Sequence, residues 1–394
     1  MAIKILSVDD EADMEMLITQ QFRRQIRDKN FEFIFASNGA EALEKLDQNK
    51  DIVLVLSDIN MPEMDGLTFL SKLNDNDQKN PNLKTIMVSA FNDMDNIRTA
   101  MNRGAFDFVT KPINFEDLEI TINKTIGHVE GLMKAQREHD QLIAIQNDIN
   151  IAQEIQQAML PKTFPPFPDR TDFDLHAFLK AAKFVGGDLF DYFLMDENRL
   201  FFLIGDVSDK GIPASLFMAI TKAIFKSHFS NKDCGTISDE VRRINEFLSS
   251  DNESMMFVTA FVGILNLKTG QVEYIDAGHE PPLILRKNNQ VEVLKKKGGL
   301  ALCIDGEYPY TPGTFMLEPG DVLFTYTDGA TDANNLTGER FGLERLKEML
   351  VAQTSAASPR QINDATLHQI QAFIGAAAQF DDITVLTLYY AGTN

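Results

Sequence analysis

The chain has 394 residues, 44% of them hydrophobic and 24% charged, enough for two compact domains with a connector and unlike a disordered polypeptide. Its formal net charge of -21 argues against nucleic acid or an anionic membrane as partner, since both recruit basic patches. The two cysteines, Cys234 and Cys303, are too few for a disulfide scaffold and lack metal-finger spacing, which suits a reducing compartment.

No apolar run approaches the roughly 20 residues of a bilayer span. The start, MAIKILSVDD, turns acidic where a signal peptide would stay apolar, so a cytoplasmic protein is expected. From Ile3 to about Lys124 short apolar runs alternate with amphipathic stretches, the pattern of a five-stranded, doubly wound parallel α/β sheet. IKILSV, FEFIF, DIVLVLSD, KTIMVSA and DFVTKP are the expected strands. Helices are expected over Met14 to Arg27, Gly39 to Leu46, Leu67 to Leu73, Met94 to Arg103, and from Glu116 onward.

From Phe115 to Leu160 the chain is polar, favours helix and contains no proline. Leu118, Ile122, Thr125, Val129 and Leu132 recur at alternating spacings of four and three, and Leu142, Ile145, Ile149 and Ala152 resume them after a slip near Ala135 and His139. That spacing predicts a coiled-coil seam with a local stammer. An amphipathic helix lying on its own domain is the other reading; a parallel homodimer is preferred, because a seam this long has no other obvious apolar surface to cover.

The prolines of PKTFPPFPD end the helix and open a second domain. Its β runs are RLFFLIGDVS, MFVTAFVGILNL, QVEYIDAG, PPLILR, DVLFTYTD and ITVLTLYY, with Lys268-Thr269-Gly270 as a hairpin turn. Helical stretches over Pro213 to Phe229, Ile237 to Leu248, Gly342 to Ala352 and Pro359 to Ile374 interleave with them, which predicts an α+β antiparallel sandwich flanked by helices. The expected divisions are 1–124, a helical linker over 125–160, and 161–394.

Asp9 and Asp10 follow the first strand, Asp58 ends the third, and Ser89 and Lys111 end the fourth and fifth, the edge where doubly wound sheets bind ligands. Oxygen ligands there suit Mg2+. A carboxylate beside a cation and a lysine can attack a phosphoryl group and become an acyl phosphate, with Lys111 and Ser89 on its oxygens. Singly, an aspartate at a strand end is as well explained as a helix cap. Together VDDE, SDINMPEMDG, MVSA and FVTKP resemble the signature of the bacterial response-regulator receiver domain, over the first third of the chain. The resemblance implies that Asp58 accepts phosphate from a sensor histidine kinase and that Asp9, Asp10 and the Asn60 carbonyl hold Mg2+. It also implies that Ser89 and Phe108 form the switch pair and that Pro112 follows a cis peptide.

VGGDLF, IGDVSDKGIPASLFMA, YTDGATDA and FDDITVL form a second constellation, in which glycine beside aspartate at strand ends lets backbone and carboxylate approach a cation together. An isolated Asp-Gly is usually a turn, whereas three sites with glycine beside aspartate and an Asp-Asp pair, in this order, suggest a convergent acidic pocket. They resemble the SpoIIE-like branch of the metal-dependent protein phosphatases, which acts on phosphoserine or phosphothreonine of anti-sigma-factor antagonists. EIQQAMLP and KGIPASLFMA also look like that branch's regulatory linker and helix.

By this resemblance Asp206 bridges two Mg2+ or Mn2+ ions, Val207 offers its carbonyl, Asp328 and Asp381 hold one ion, and Asp188 lies near the other. Asp382 is the alternative to Asp381. Eukaryotic relatives grip phosphate with an arginine, where this chain offers Lys180 and Lys183. His176 and His279 are read as structural. The expectation is a receiver-controlled phosphatase acting on an anti-sigma-factor antagonist, with a phosphatase-like adaptor that sequesters its partner as the alternative. A pure scaffold has no physical need for an acidic pocket that is electrostatically costly.

Overall fold

The computed structural model describes residues 2–75, 80, 82–90, 94–231, 234–295, 298–353 and 357–392. The chain divides into two compact units, Met1–Ile145 and Gln146–Asn394. Among the described residues no helix is long and apolar enough to cross a membrane.

In the first unit the elements run β1 (Ile3–Val8), α1 (Ala12–Gln21), α2 (Arg23–Arg27), β2 (Phe31–Ala36), α3 (Gly39–Gln48), β3 (Ile52–Asp58), α4 (Gly66–Asp75), β4 (Lys84–Ala90), α5 (Met94–Asn102), β5 (Asp107–Lys111) and α6 (Phe115–Met159). The sheet has the order β2-β1-β3-β4-β5 and is parallel throughout. Helices cover both faces, which is why Leu54, Val55 and Leu56, and likewise Ile86, Met87 and Val88, are buried in unbroken runs. The single helix expected over Met14 to Arg27 is instead two, parted at Phe22. Phe22 leaves helical geometry and is fully buried, its ring 6.1 Å from that of Phe31 and 5.4 Å from that of Phe33. Packing of one aromatic ring overrides the helical period there. The Lys111–Pro112 peptide is cis.

Helix α6 has 45 residues. Its first apolar run covers the unit's own sheet: Leu118, Ile122 and Ile126 pack with Ile5, Leu54, Ile86 and Val109, and Thr125 is buried beside them. The expectation that this run had no other surface to cover is therefore corrected, because a stripe spaced by three and four residues fits a sheet as well as a partner helix. The second run differs, with Leu142 66% and Ile145 56% exposed.

In the second unit two antiparallel sheets stack. One is built from β7 (Leu189–Leu194), β8 (Arg199–Val207), β9 (Val258–Asn266), β10 (Gln271–Ala277) and β13 (Gly313–Met316). The other contains β6 (Phe173–Lys180), β11 (Leu283–Leu285), β12 (Val291–Val293), β14 (Val322–Tyr326) and β15 (Ile383–Tyr390). Strand alternation sorts the side chains. Leu200, Phe202 and Ile204 of β8 meet Leu386 and Leu388 of β15 between the sheets, whereas Phe201 and Leu203 point to the outer side. There they pack on α7 (Ile212–Phe229) and α8 (Ile237–Ser250) through Met218, Phe225, Val241 and Ile244. The four-residue α9 (Asp328–Thr331) follows β14, and α10 (Gly342–Ala352) and α11 (Pro359–Ile374) cover the outer side of the second sheet with Leu346, Leu350, Ile362 and Ile370.

Helix α11 starts where Ser358 and Gln361 satisfy each other's backbone N–H groups. The ion pair of Lys222 on α7 and Asp191 on β7 is sunk into this unit, 2.6 Å apart with the two residues 4% and 1% exposed.

Candidate functional site

Strand ends of the parallel sheet gather the first cluster. Asp9, Asp10 and Asp58 can each turn an oxygen to within 4.8 Å of the others, a spacing suited to one hard cation. Lys111 at the end of β5 reaches Asp58 Oδ2 at 2.6 Å, Asp9 Oδ2 at 3.1 Å and Glu11 Oε1 at 2.8 Å. Glu11 was not among the expected residues, though it follows the aspartates directly in VDDE. Burial pushes the Asp9 carboxyl up, against hydrogen bonds from the Glu11 N–H and Lys111. Burial works against the charge on Lys111, yet its bonds to Asp58 and Glu11 hold it above its ordinary value. The Asn60 N–H donates to Asp58 Oδ1 at 3.3 Å. Ser89 is fully buried with its hydroxyl unpartnered among the described residues, and Phe108 is 38% exposed.

The second cluster forms where the edges of the two antiparallel sheets meet. Asp188 precedes β7, Asp206 and Val207 end β8, Asp328 opens α9, and Asp381 and Asp382 precede β15. Asp188 is 1% exposed, and one of its oxygens accepts hydrogen bonds from Thr327 Oγ1 at 2.7 Å and Thr384 Oγ1 at 2.6 Å. Burial, then the nearby Asp206 and Asp382 charges, pushes Asp188 far above the carboxylate range. Asp206 is pushed up to about 7 by burial and by Asp328 and Asp381, and it lies close enough to Asp188 to hydrogen-bond it when one of the two is protonated. Asp328 is raised by burial, then by Asp381, Asp332 and Glu280.

The FDD pair divides its work. Asp382 spends both oxygens on backbone, accepting from Ala182 N and Gly187 N at 2.8 Å each. Asp381 Oδ2 instead pairs with Lys210 Nζ at 2.8 Å. Lys210 also donates to the Phe380 carbonyl and lies over the Phe380 ring, 4.3 Å from its centroid.

Lys210, Glu280 and Asp332 were not singled out in the sequence, although each lies within or beside a motif that was. His279 Nδ1 lies 3.0 Å from Thr259 Oγ1, and Thr259 faces Asp206 across β8 and β9, so this histidine stands behind the acidic residues. His176 is bonded to Asn363 at 2.9 Å and faces the Phe164 ring, with burial lowering its pKa.

The donor set fits hard divalent cations. Carboxylates held in the interior with raised pKa values and mutual repulsion gain most from a cation of high charge. No trio as tight as Asp9, Asp10 and Asp58 occurs among the described residues of the second unit.

The chain matches two family models, the response regulator receiver domain over residues 5–123 and stage II sporulation protein E (SpoIIE) over residues 196–390. It is 30% identical over 282 residues to the phosphoserine phosphatase RsbU of Bacillus subtilis, a match covering 70% of this chain and 79% of RsbU. It is 31% identical over 267 residues to protein IcfG of Synechocystis sp., covering 61% of this chain and 41% of IcfG, so it spans less than half of that longer relative. The solved SiaA-PP2C domain of Pseudomonas aeruginosa shares the fold, with a TM-score of 0.55 at 19% identity over 64% of this chain and 98% of that domain.

Proposed function

The chain belongs to the SpoIIE family of protein serine/threonine phosphatases, with a response-regulator receiver domain ahead of the phosphatase, and from that premise we propose that phosphorylation of Asp58 controls dephosphorylation of an anti-sigma-factor antagonist. The phosphoryl donor is a sensor histidine kinase, and the setting is cytoplasmic partner switching. RsbU, a phosphoserine phosphatase by name, supports phosphoserine as the substrate group. The observation that carries the reading is the C-terminal cluster, where burial and then neighbouring carboxylates hold Asp188, Asp206 and Asp328 at raised pKa values.

Asp206, the Val207 carbonyl, Asp328, Asp381 and Asp188 would hold two Mg2+ or Mn2+ ions. Bound there, the ions supply a water deprotonated near neutral pH for in-line attack on phosphorus, and charge to match the phosphoryl oxygens. Asp381 is the favoured ligand of its pair: its Oδ1 accepts from the Asp382 N–H and its Oδ2 meets the Lys210 side chain, which can yield to a cation, whereas both oxygens of Asp382 are fixed by the N–H groups of Ala182 and Gly187. Thr327 and Thr384 fix the orientation of Asp188, and Lys210 fixes that of Asp381. In the receiver, Asp9, Asp10 and the Asn60 carbonyl would hold Mg2+, Lys111 would meet the phosphoryl group on Asp58, and Ser89 with Phe108 would report it. The exposed second run of α6, including Leu142 and Ile145, supports a homodimer through that helix. The functional divisions are a receiver over 1–124, a linker over 125–160 and a phosphatase over 161–394.

The test is release of phosphate from a phosphoserine-bearing antagonist protein with Mn2+, with and without beryllofluoride on the receiver, and with Asp206→Ala as control. Release that needs Mn2+ and vanishes in the variant is the expected result, and any change with beryllofluoride gives the sign of control. Mn2+ binding without release from any antagonist tried would instead favour a partner-sequestering adaptor.

A further inference from the structure

Among residues 146–159, the closing turns of α6, only Gln156 is buried. Its side-chain amide makes a two-point contact with a single residue: Nε2 donates to the Gly186 carbonyl at 2.6 Å, and Oε1 accepts from the Gly186 N–H at 3.1 Å. The reversed amide would set donor against donor and acceptor against acceptor, so the contact admits one orientation. The helix itself has no use for a buried amide at this point. The surrounding turn is lightly held, with Ile151 55% and Ile155 59% exposed and an open groove lined by Gln153, Gln157, Lys183 and Phe184 beside it.

What Gln156 grips is the segment that sets the acidic cluster. A Cβ at Gly186 would lie 2.0 Å from Asp382 Oδ2, and one at Gly187 would lie 2.7 Å from the Val207 carbonyl. The Gly187 N–H donates to Asp382 at 2.8 Å, its carbonyl accepts from Val207 N at 3.4 Å, and the next residue is Asp188. One peptide beyond the Gln156 contact, therefore, the chain touches Val207 and Asp382 and delivers Asp188.

We propose that Gln156 is a positioning residue for the metal site, a latch through which the seating of the last turns of α6 sets the geometry of Asp188, Val207 and Asp382. This rests on the reading of the cluster as a metal-dependent phosphatase site under receiver control. With the latch closed, Gly186 and Gly187 hold Asp382 and the Val207 carbonyl in register with Asp188. When the turn lifts or rotates, the amide leaves Gly186, the two glycines gain backbone freedom, and the metal ligands lose their common alignment.

The test compares the full chain with Gln156→Leu, which keeps the bulk and loses both hydrogen bonds, and Gln156→Glu, which keeps the bond to the Gly186 N–H alone. Mn2+ binding is followed by electron paramagnetic resonance in an Asp10→Asn background that silences the receiver site, and deuterium uptake is read over residues 182–190. Groups that orient metal ligands typically change metal affinity by about 10–100-fold. Mn2+ affinity is expected to fall by about tenfold or more in Gln156→Leu and by less in Gln156→Glu, with uptake rising in the same order. With Asp10 restored, the effect of beryllofluoride on phosphate release should shrink in that order too.

Unchanged Mn2+ affinity and an unchanged beryllofluoride response in both variants, whatever happens to thermal stability, would overturn the proposal. Should Gln156→Leu not fold, Gln156→Glu alone decides by the same readouts. A wild-type chain that binds Mn2+ but releases no phosphate defeats the phosphatase reading, and leaves the latch to be judged from binding and deuterium uptake.

Discussion

Lys111 reaches three carboxylates of the N-terminal cluster, Asp9, Glu11 and Asp58, whereas in the C-terminal cluster Lys210 pairs with Asp381 and the interior Asp188 is met by threonine hydroxyls. The first cluster carries a fixed cation in direct contact with three of its carboxylates, which offsets part of its negative charge. The second keeps its repulsion and holds Asp188 and Asp206 at raised pKa values. A site that must accept one phosphoryl group reversibly benefits from a fixed lysine that can pass from carboxylate to phosphate. A site that must activate water at neutral pH benefits from carboxylates that only metal can relieve.

The largest expected effect bears on the second half of that comparison. Asp206→Asn should lower Mn2+-dependent phosphate release by about a thousandfold, at the upper end of what loss of one preorganised electrostatic group costs. Residual activity within tenfold of wild type would remove Asp206 from the site.

Next comes a buried carboxylate in the same unit that does have a fixed cation, Asp191 with Lys222. Asp191→Ala strands the lysine and should cost about 3–5 kcal/mol in urea unfolding, while replacing both by apolar residues of similar size should be close to neutral. If the single and the double replacement cost the same, fixed counter-ions matter less in this interior than the comparison holds.

For the receiver, Asp58→Ala should abolish the response of phosphate release to beryllofluoride, a response expected to be about 5–150-fold for typical coupling between sites. A response that survives in the variant would detach the first cluster from control.

The smallest effect is in pH. Asp206 rises from an ordinary value of 3.8 to about 7 in the folded, metal-free chain, so the stability it contributes is complete below pH 4 and is lost as pH climbs through 7. Without metal, Asp206→Asn should therefore melt higher than wild type at pH 8, by about 5 °C, and the gap should close towards pH 5. Added Mn2+ should reverse the order at pH 8. A calorimetric gap independent of pH would mean that the Asp206 charge is already compensated.

Much of this arrangement is legible in the residues. The receiver strands are continuous apolar runs ending in Asp9, Asp10, Asp58, Ser89 and Lys111, because a parallel sheet buried on both faces must be apolar up to the edge where its ligands sit. The Gly-Asp pairs marked the second cluster for a similar reason, since a strand end with glycine brings backbone and carboxylate to one point.

Sequence reading failed where a side chain's role depends on what lies opposite. The α6 seam has one spacing, yet Ile122 meets a sheet while Leu142 is exposed. Gln156 lies in the noticed stretch EIQQAMLP, but nothing distinguishes it from Gln157 until Gly186 is seen against it. Asp381 and Asp382 are likewise equivalent in sequence, and divide only because the backbone of Ala182 and Gly187 takes one of them.

The burial of Leu118, Ile122, Thr125 and Ile126 bears on any attempt to exchange modules between proteins of this kind. A graft that cuts at Lys124 would sever a helix from the sheet it completes, and the transplanted module would start life with an open greasy flank prone to clumping. A chimera joined beyond Val129 carries that cover with it. The splice point, more than the choice of donor, should then decide whether such hybrids express as well-behaved proteins.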